Sequence, residues 1–113
     1  NTNRLDVIRL SNNYTKFDLI ASYTMTGPYG LGIDDEVLFV CDGDAGLKVY
    51  NASDPLNIDK NKLAQFPGIN TYDVIPLNNY LFMIGNDGFY LYDYNDLQNI
   101  HQIGVIPVVN TVN

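Results

Sequence analysis

The chain has 113 residues, thirteen acidic and six basic, with a formal charge of -7, so its average field repels polyphosphates. No Lys/Arg cluster offsets that field, which argues against nucleic acid and anionic membrane surfaces as partners. With 46% hydrophobic residues, nine tyrosines and five phenylalanines, the chain is too apolar and too aromatic for a disordered segment. No apolar run approaches the roughly eighteen residues a membrane helix needs, so no membrane insertion is expected. Cys41 is the only cysteine; it is read as a small apolar side chain in a strand, and the redox compartment stays open.

In chain order, short β-strands are expected at Leu5–Leu10 and Asp18–Tyr23. They are followed by Tyr29–Ile33, Val37–Cys41, Leu47–Asn51 and Lys62–Phe66. A second set follows at Tyr72–Ile75, Tyr80–Ile84, Phe89–Asp93 and Ile103–Ile106. The separators are rich in Asp, Asn and Gly, which suit hairpin turns because they tolerate or relieve a positive φ. Pro76 lies against the end of its strand and predicts a short one. Helix has little support: the runs VLFV and YLFMI lack a 3.6-residue period and stop at turn formers. Only Asp54 to Leu63 could hold a helical turn.

These strands repeat. The stretch YGLGIDDEVLFVCDGDAGLKVYNASDPLNI, from Tyr29 to Ile58, matches YDVIPLNNYLFMIGNDGFYLYDYNDLQNI, from Tyr72 to Ile100. The offset is 43 through Phe39/Phe82 and becomes 42 from Gly46/Gly88 onward, the lost residue falling inside a hairpin turn. A slip inside a strand would turn every side chain over, whereas a turn absorbs it. Leu5-Asp6-Val7-Ile8 resembles Leu47-Lys48-Val49-Tyr50, and Ile20-Ala21-Ser22-Tyr23 lines up with Leu63-Ala64-Gln65-Phe66. Ile103-Gly104-Val105-Ile106-Pro107 resembles Leu63 to Pro67 in turn. The chain therefore reads as two complete units preceded by the last half of a third.

The fold expected is all-β, with β-propeller blades of four antiparallel strands in an incomplete ring. One partial propeller spans 1–113, with a half blade at 5–23 and blades at 29–66 and 72–107. A sandwich would need strands with one wet face, but Val37–Cys41 and Tyr80–Ile84 are apolar on both. A four-strand period near forty residues belongs to propellers as well. The core LFVCDGDAGLKVYNASDP and its weaker copy LFMIGNDGFYLYDYNDL resemble the LVIVD-repeat proteins, a β-propeller family of bacterial and archaeal surface proteins. Asn95-Asp96-Leu97 departs from Ser53-Asp54-Pro55 in lacking the proline. The resemblance implies an extracytoplasmic location, at the cell surface or in the periplasm, and a binding or unknown function, and it supplies no catalytic residue. Closed rings use four to eight blades. About two and a half units therefore imply that the missing blades come from a longer parent chain or from self-association.

Candidate chemistry is sparse. Asp42, Asp44 and Asp87 are hard oxygen donors in turns, but no further Asp, Asn or Glu completes a calcium loop, so they are read as turn residues. Asp54 and Asp96 hold equivalent places after the third strand and are expected to anchor turns. His101 has no partner residue in a recognisable spacing. Tyr90, Tyr92 and Tyr94 sit on alternate positions of one strand and share a face, a possible binding surface for a sugar or peptide. No catalytic residue, metal site or cofactor is assigned. The function expected is a non-enzymatic scaffold or binding module for protein or glycan at the bacterial cell envelope. The alternative is part of a propeller hydrolase or lyase whose catalytic residues lie on blades outside this chain.

Overall fold

The structure, a computed structural model, describes residues 3–11, 13 and 15–107. It is all-β apart from one 3-10 turn at Ile58–Lys60, inside the segment expected to hold a helical turn. An N-terminal hairpin joins β1 (Arg4–Ser11) to β2 (Lys16–Thr24). A central sheet follows, with β3 (Gly30–Asp34), β4 (Val37–Cys41), β5 (Leu47–Asn51) and β6 (Lys62–Phe66) adjacent in chain order. A distal sheet repeats it with β7 (Thr71–Leu77), β8 (Tyr80–Gly85), β9 (Gly88–Asp93) and β10 (His101–Pro107). All pairings within the three layers are antiparallel.

The turns follow local chemistry. Asn78 and Asn79, both with positive φ (52° and 68°), close the two-residue β7–β8 hairpin. Two positive φ angles in succession match the right-handed twist of the flanking strands, and asparagine tolerates them best after glycine. Pro76 does not end β7, as the sequence suggested; it lies within the strand, opposite Leu81. The physical reason is position: β7 is an edge strand of its sheet, where a missing amide costs no ladder bond.

Register carries the repeat into three dimensions. Across the central sheet, Gly32, Phe39, Val49 and Ala64 form one cross-strand row. Ile75, Phe82, Leu91 and Gly104 form the matching row of the distal sheet. A β-bulge falls at the same repeat position each time, leaving Ile20, Leu63 and Ile103 unpaired opposite β1, β5 and β9. A bulge adds local twist, so its recurrence gives the three layers similar curvature for stacking.

The central sheet is covered on both faces. Phe39, Cys41, Leu47 and Val49 on one face pack against Val74, Leu81, Met83, Tyr92 and Tyr94 of the distal sheet. Val40 and Tyr50 on the opposite face pack against Leu5 and Met25 of the hairpin and its exit, with Ile58. Tyr23 fastens that second contact, its hydroxyl donating to the Pro55 carbonyl at 2.9 Å and accepting from the Ile58 amide at 3.2 Å. Gly30 and Gly32 let β3 approach β7 closely, since a Cβ at either would strike Tyr72–Asp73 or Val74–Pro76. The layers form an open row and do not close into a ring.

The apolar pattern on both faces of the second strands holds in full only for β4. In β8, Leu81 and Met83 are buried while Phe82 and Ile84 are 48% and 37% exposed, because among the described residues no layer covers the far side of the distal sheet.

Two glycines with positive φ separate conformational strain from collision. At Gly46 (φ +87°) a Cβ would collide with the Phe66 carbonyl, whereas at Gly68 (φ +95°) it would meet nothing. Gly68→Ala should cost about 1–2 kcal/mol from backbone strain alone. Gly46→Ala should cost more, about 2–5 kcal/mol, since strain and backbone overlap add. Urea unfolding midpoints of the two variants check the order; equal losses would contradict this account of the turn.

Candidate functional site

The tyrosine row is largely buried, with Tyr92 and Tyr94 in the core between the sheets. Its alternate positions share a face as expected, but that face is turned toward the central sheet. Tyr92 is 1% exposed and packs on Phe66 with ring centroids 4.9 Å apart. Tyr94 is 3% exposed, sits edge-on to Phe39 at 5.0 Å, and donates its hydroxyl to Asp34 Oδ2 at 2.7 Å. Burial, with smaller contributions from Tyr90 and Cys41, pushes the Tyr92 phenol up to about 12. Burial also raises Tyr94 to about 12, helped by the bond to Asp34. Both rings are core, and neither can stack a ligand. Tyr90 is half-buried, and its hydroxyl is tied to Asp87 Oδ1 at 2.7 Å.

The turn aspartates divide. Asp54 accepts from the Leu56 amide at 3.2 Å and Asp96 from the Gln98 amide at 2.9 Å, so both anchor turns as expected. Asp44 is exposed. Asp42 is fully buried: its carboxylate accepts from Lys48 Nζ at 2.6 Å, from the Thr26 amide at 2.9 Å and from the Gly27 amide at 2.7 Å. It clamps the connection that leads from the hairpin into the central sheet. The pair breaks the repeat, since Gly85 and Tyr90 stand at the equivalent positions. That departure was visible in the sequence as Asp42 and Lys48 facing Gly85 and Tyr90, but the pairing itself was not anticipated. Burial acts to raise the Asp42 carboxyl, yet Lys48 and the two amides outweigh it and hold the group below its ordinary range.

Among the described residues, no three His, Cys, Asp or Glu side chains gather as a metal-binding group. Cys41 is fully buried, and burial, opposed by a bond with Thr71 and aided by the Asp73 charge, pushes its thiol up to about 12. A thiol so protonated is a packing group rather than a nucleophile at neutral pH. His101 opens β10, exposed, its Nδ1 paired with the Asn99 carbonyl at 2.8 Å.

What remains is a polar recess beside the Asp42 clamp, a cavity of about 250 Å3 bordered by Asn3, Thr26, Tyr29, Asp44 and Asn70, with Gly27 and Gly43. Three connections meet there: the β2–β3 link, the β4–β5 turn and the β6–β7 link. Asn70 Oδ1 is buried and has no hydrogen-bond partner. A buried amide oxygen without a donor is uncommon. Tyr29, 68% exposed, stands at the mouth, its ring edge-on to Tyr72 at 5.3 Å. Sequence reasoning missed this recess, because its groups come from separate links and share no spacing.

Comparison with protein-family models, curated proteins and solved structures finds no match.

The Asp42 clamp makes a stability prediction with a pH signature. The unfolded carboxyl titrates near about 3.9, and the folded one lies lower. Its contribution is therefore complete above that pH and is lost as pH falls through the folded value. Asp42→Ala leaves Lys48 unpaired and should cost about 3–5 kcal/mol, against less than about 0.5 kcal/mol for Asp44→Ala. Denaturation of both variants between neutral pH and acid checks this. An Asp42→Ala protein as stable as Asp44→Ala, or one that keeps the full acid-side loss of the parent, would contradict the clamp.

Proposed function

We propose that the chain is a non-enzymatic β-propeller module that binds a glycan or protein at the bacterial cell envelope, with the recess beside Asn70 as the ligand site. Four-stranded antiparallel units with a period near forty residues, stacked face to face and in matching register, support the propeller reading. The resemblance of LFVCDGDAGLKVYNASDP to LVIVD repeats supports the envelope location. The observation that carries the binding role is the polar recess itself, where Asn70 and Asp44 border an opening beside the exposed Tyr29 ring. An amide, a carboxylate on Asp44 and an aromatic face suit sugar hydroxyls and their apolar ring faces better than an extended peptide. The titratable groups nearby are not set up for acid–base work: Asp42 is saturated by its three donors, and Asp44 lacks a partner base in the recess.

An array of bacterial surface oligosaccharides, with a peptide library in parallel, tests this on the purified chain. Glycan retention is expected, and Asn70→Ala or Tyr29→Ala should each weaken it roughly five- to tenfold, the worth of one neutral hydrogen bond or stacking contact. Binding of peptides alone would replace the glycan with a protein ligand. Release of new reducing ends from the array would support the hydrolase alternative instead. Binding unchanged in both variants would remove the recess from the account.

A further inference from the structure

The β4–β5 turn reaches both of the other links that form the recess. Asp42 accepts from the Thr26 and Gly27 amides at 2.9 and 2.7 Å, and so fixes the β2–β3 link just ahead of Tyr29. Gly27 has no side chain to restrain it, and Pro28 has a fixed φ, so an anchor at Gly27 is passed on to Tyr29. Gly43 accepts from the Thr71 amide at 3.1 Å and holds the β6–β7 link. Gly43 also lies against the Tyr29 ring: a Cβ there would stand 3.3 Å from Tyr29 Cε2 and 2.9 Å from the Gly27 carbonyl. The ring is thus confined between Gly43 and Tyr72, which it meets edge-on at 5.3 Å.

The distal sheet builds the corresponding turn without these groups. Gly85 and Tyr90 stand where Asp42 and Lys48 do, and the Asn86 amide donates to the Asn70 carbonyl at 2.9 Å to hold the link. The fold therefore makes this turn without a buried ion pair. Such a pair costs desolvation of both groups, and apolar residues of similar volume often serve stability as well. Its presence at the one turn that borders the recess points to placement rather than to stability.

We propose that Asp42 is the positioning residue of the recess, its carboxylate oxygens holding Thr26 and Gly27 so that the Tyr29 ring stands fixed at the mouth. Lys48 Nζ, at 2.6 Å, keeps the carboxylate in place. The role rests on the reading of the recess as a ligand site, but the ring is placed before any ligand arrives. A ring held in advance gives up little rotamer freedom when a sugar stacks on it, so less affinity is lost to ordering. What the two amides require is an acceptor oxygen, and the charge serves only to hold it.

Proton–proton nuclear Overhauser effects in the ligand-free chain test this. The Tyr29 ring should give cross-peaks to the Gly43 α-protons, and the Thr26 and Gly27 amides should be protected from hydrogen exchange. Asp42→Gly together with Lys48→Tyr installs the residues of the distal turn and removes the acceptor without stranding a charge. In that double variant the Tyr29–Gly43 cross-peaks should vanish while the Phe39–Tyr94 and Phe66–Tyr92 contacts remain. Asp42→Asn together with Lys48→Met restores a carbonyl oxygen able to accept from both amides, and the cross-peaks should return. On the oligosaccharide array the first double variant should lose roughly five- to tenfold in retention, and the second should behave as the parent does. Cross-peaks that persist in the first double variant, or that fail to return in the second, overturn the proposal. So do Thr26 and Gly27 amides that exchange at the unprotected rate in the parent, a measurement that needs no variant to fold. An array that retains no glycan removes the ligand reading alone, and the ring contacts still decide whether Asp42 places Tyr29.

Discussion

Everything in this fold depends on burying a thin sheet from both sides. The central sheet presents Phe39, Cys41, Leu47 and Val49 on one face and Val40 and Tyr50 on the other, all nearly or wholly inaccessible. An antiparallel sheet of a globular domain ordinarily keeps one face wet. Here that is impossible for the central sheet, so it holds its shape only between two neighbours. Full burial of each large apolar side chain is worth about 1.5–3 kcal/mol, and the two clusters together supply the cooperativity of the chain. The distal sheet, covered on one face among the described residues, shows a row of half-exposed phenylalanine and isoleucine on the other.

The polar groups hold the layers in register more than they drive stacking. Asp42 and Lys48 lock the link between hairpin and central sheet, and Tyr23 locks the hairpin to the segment after β5. Tyr94 and Asp34 do the same between the distal and central sheets. These ties are unlike one another although the strands they join are alike. Repetition thus sets the apolar faces, while individual residues set each junction. The recess at Asn70 belongs to this second class: it exists because three dissimilar links converge beside the Asp42 clamp.

Much of the architecture was legible because it repeats. Strand positions follow from hairpin turn residues and apolar runs, and Lys62–Phe66 matches its expected bounds; the one-residue slip falls in the turn before Gly46, where pairing does not constrain it. The stacking of the two sheets followed from β4 being apolar on both faces. Pro76 misled because a strand's edge position is a property of the sheet, invisible in a local window. The tyrosines in and just after β9 misled for a related reason. Alternation says that Tyr90, Tyr92 and Tyr94 share a face, yet it cannot say which face meets a neighbour; the matching residue Tyr50, also buried, was the available hint. The Asn70 recess left no trace in sequence order, since its groups are separated by tens of residues and meet only after stacking.

The central claim is that the sheets stack through one recurring contact, and proton–proton nuclear Overhauser effects between aromatic rings test it most directly. With Phe66 and Tyr92 centroids 4.9 Å apart and Phe39 and Tyr94 5.0 Å apart, both ring pairs should give cross-peaks, despite each joining different sheets. The exposed Phe82, equivalent to Phe39, should show no such peak to any ring of its own chain when intra- and intermolecular effects are separated by isotope filtering. Finding Phe39 without contact to Tyr94, or Phe66 without contact to Tyr92, in a chain whose strands are otherwise paired as described would contradict the account.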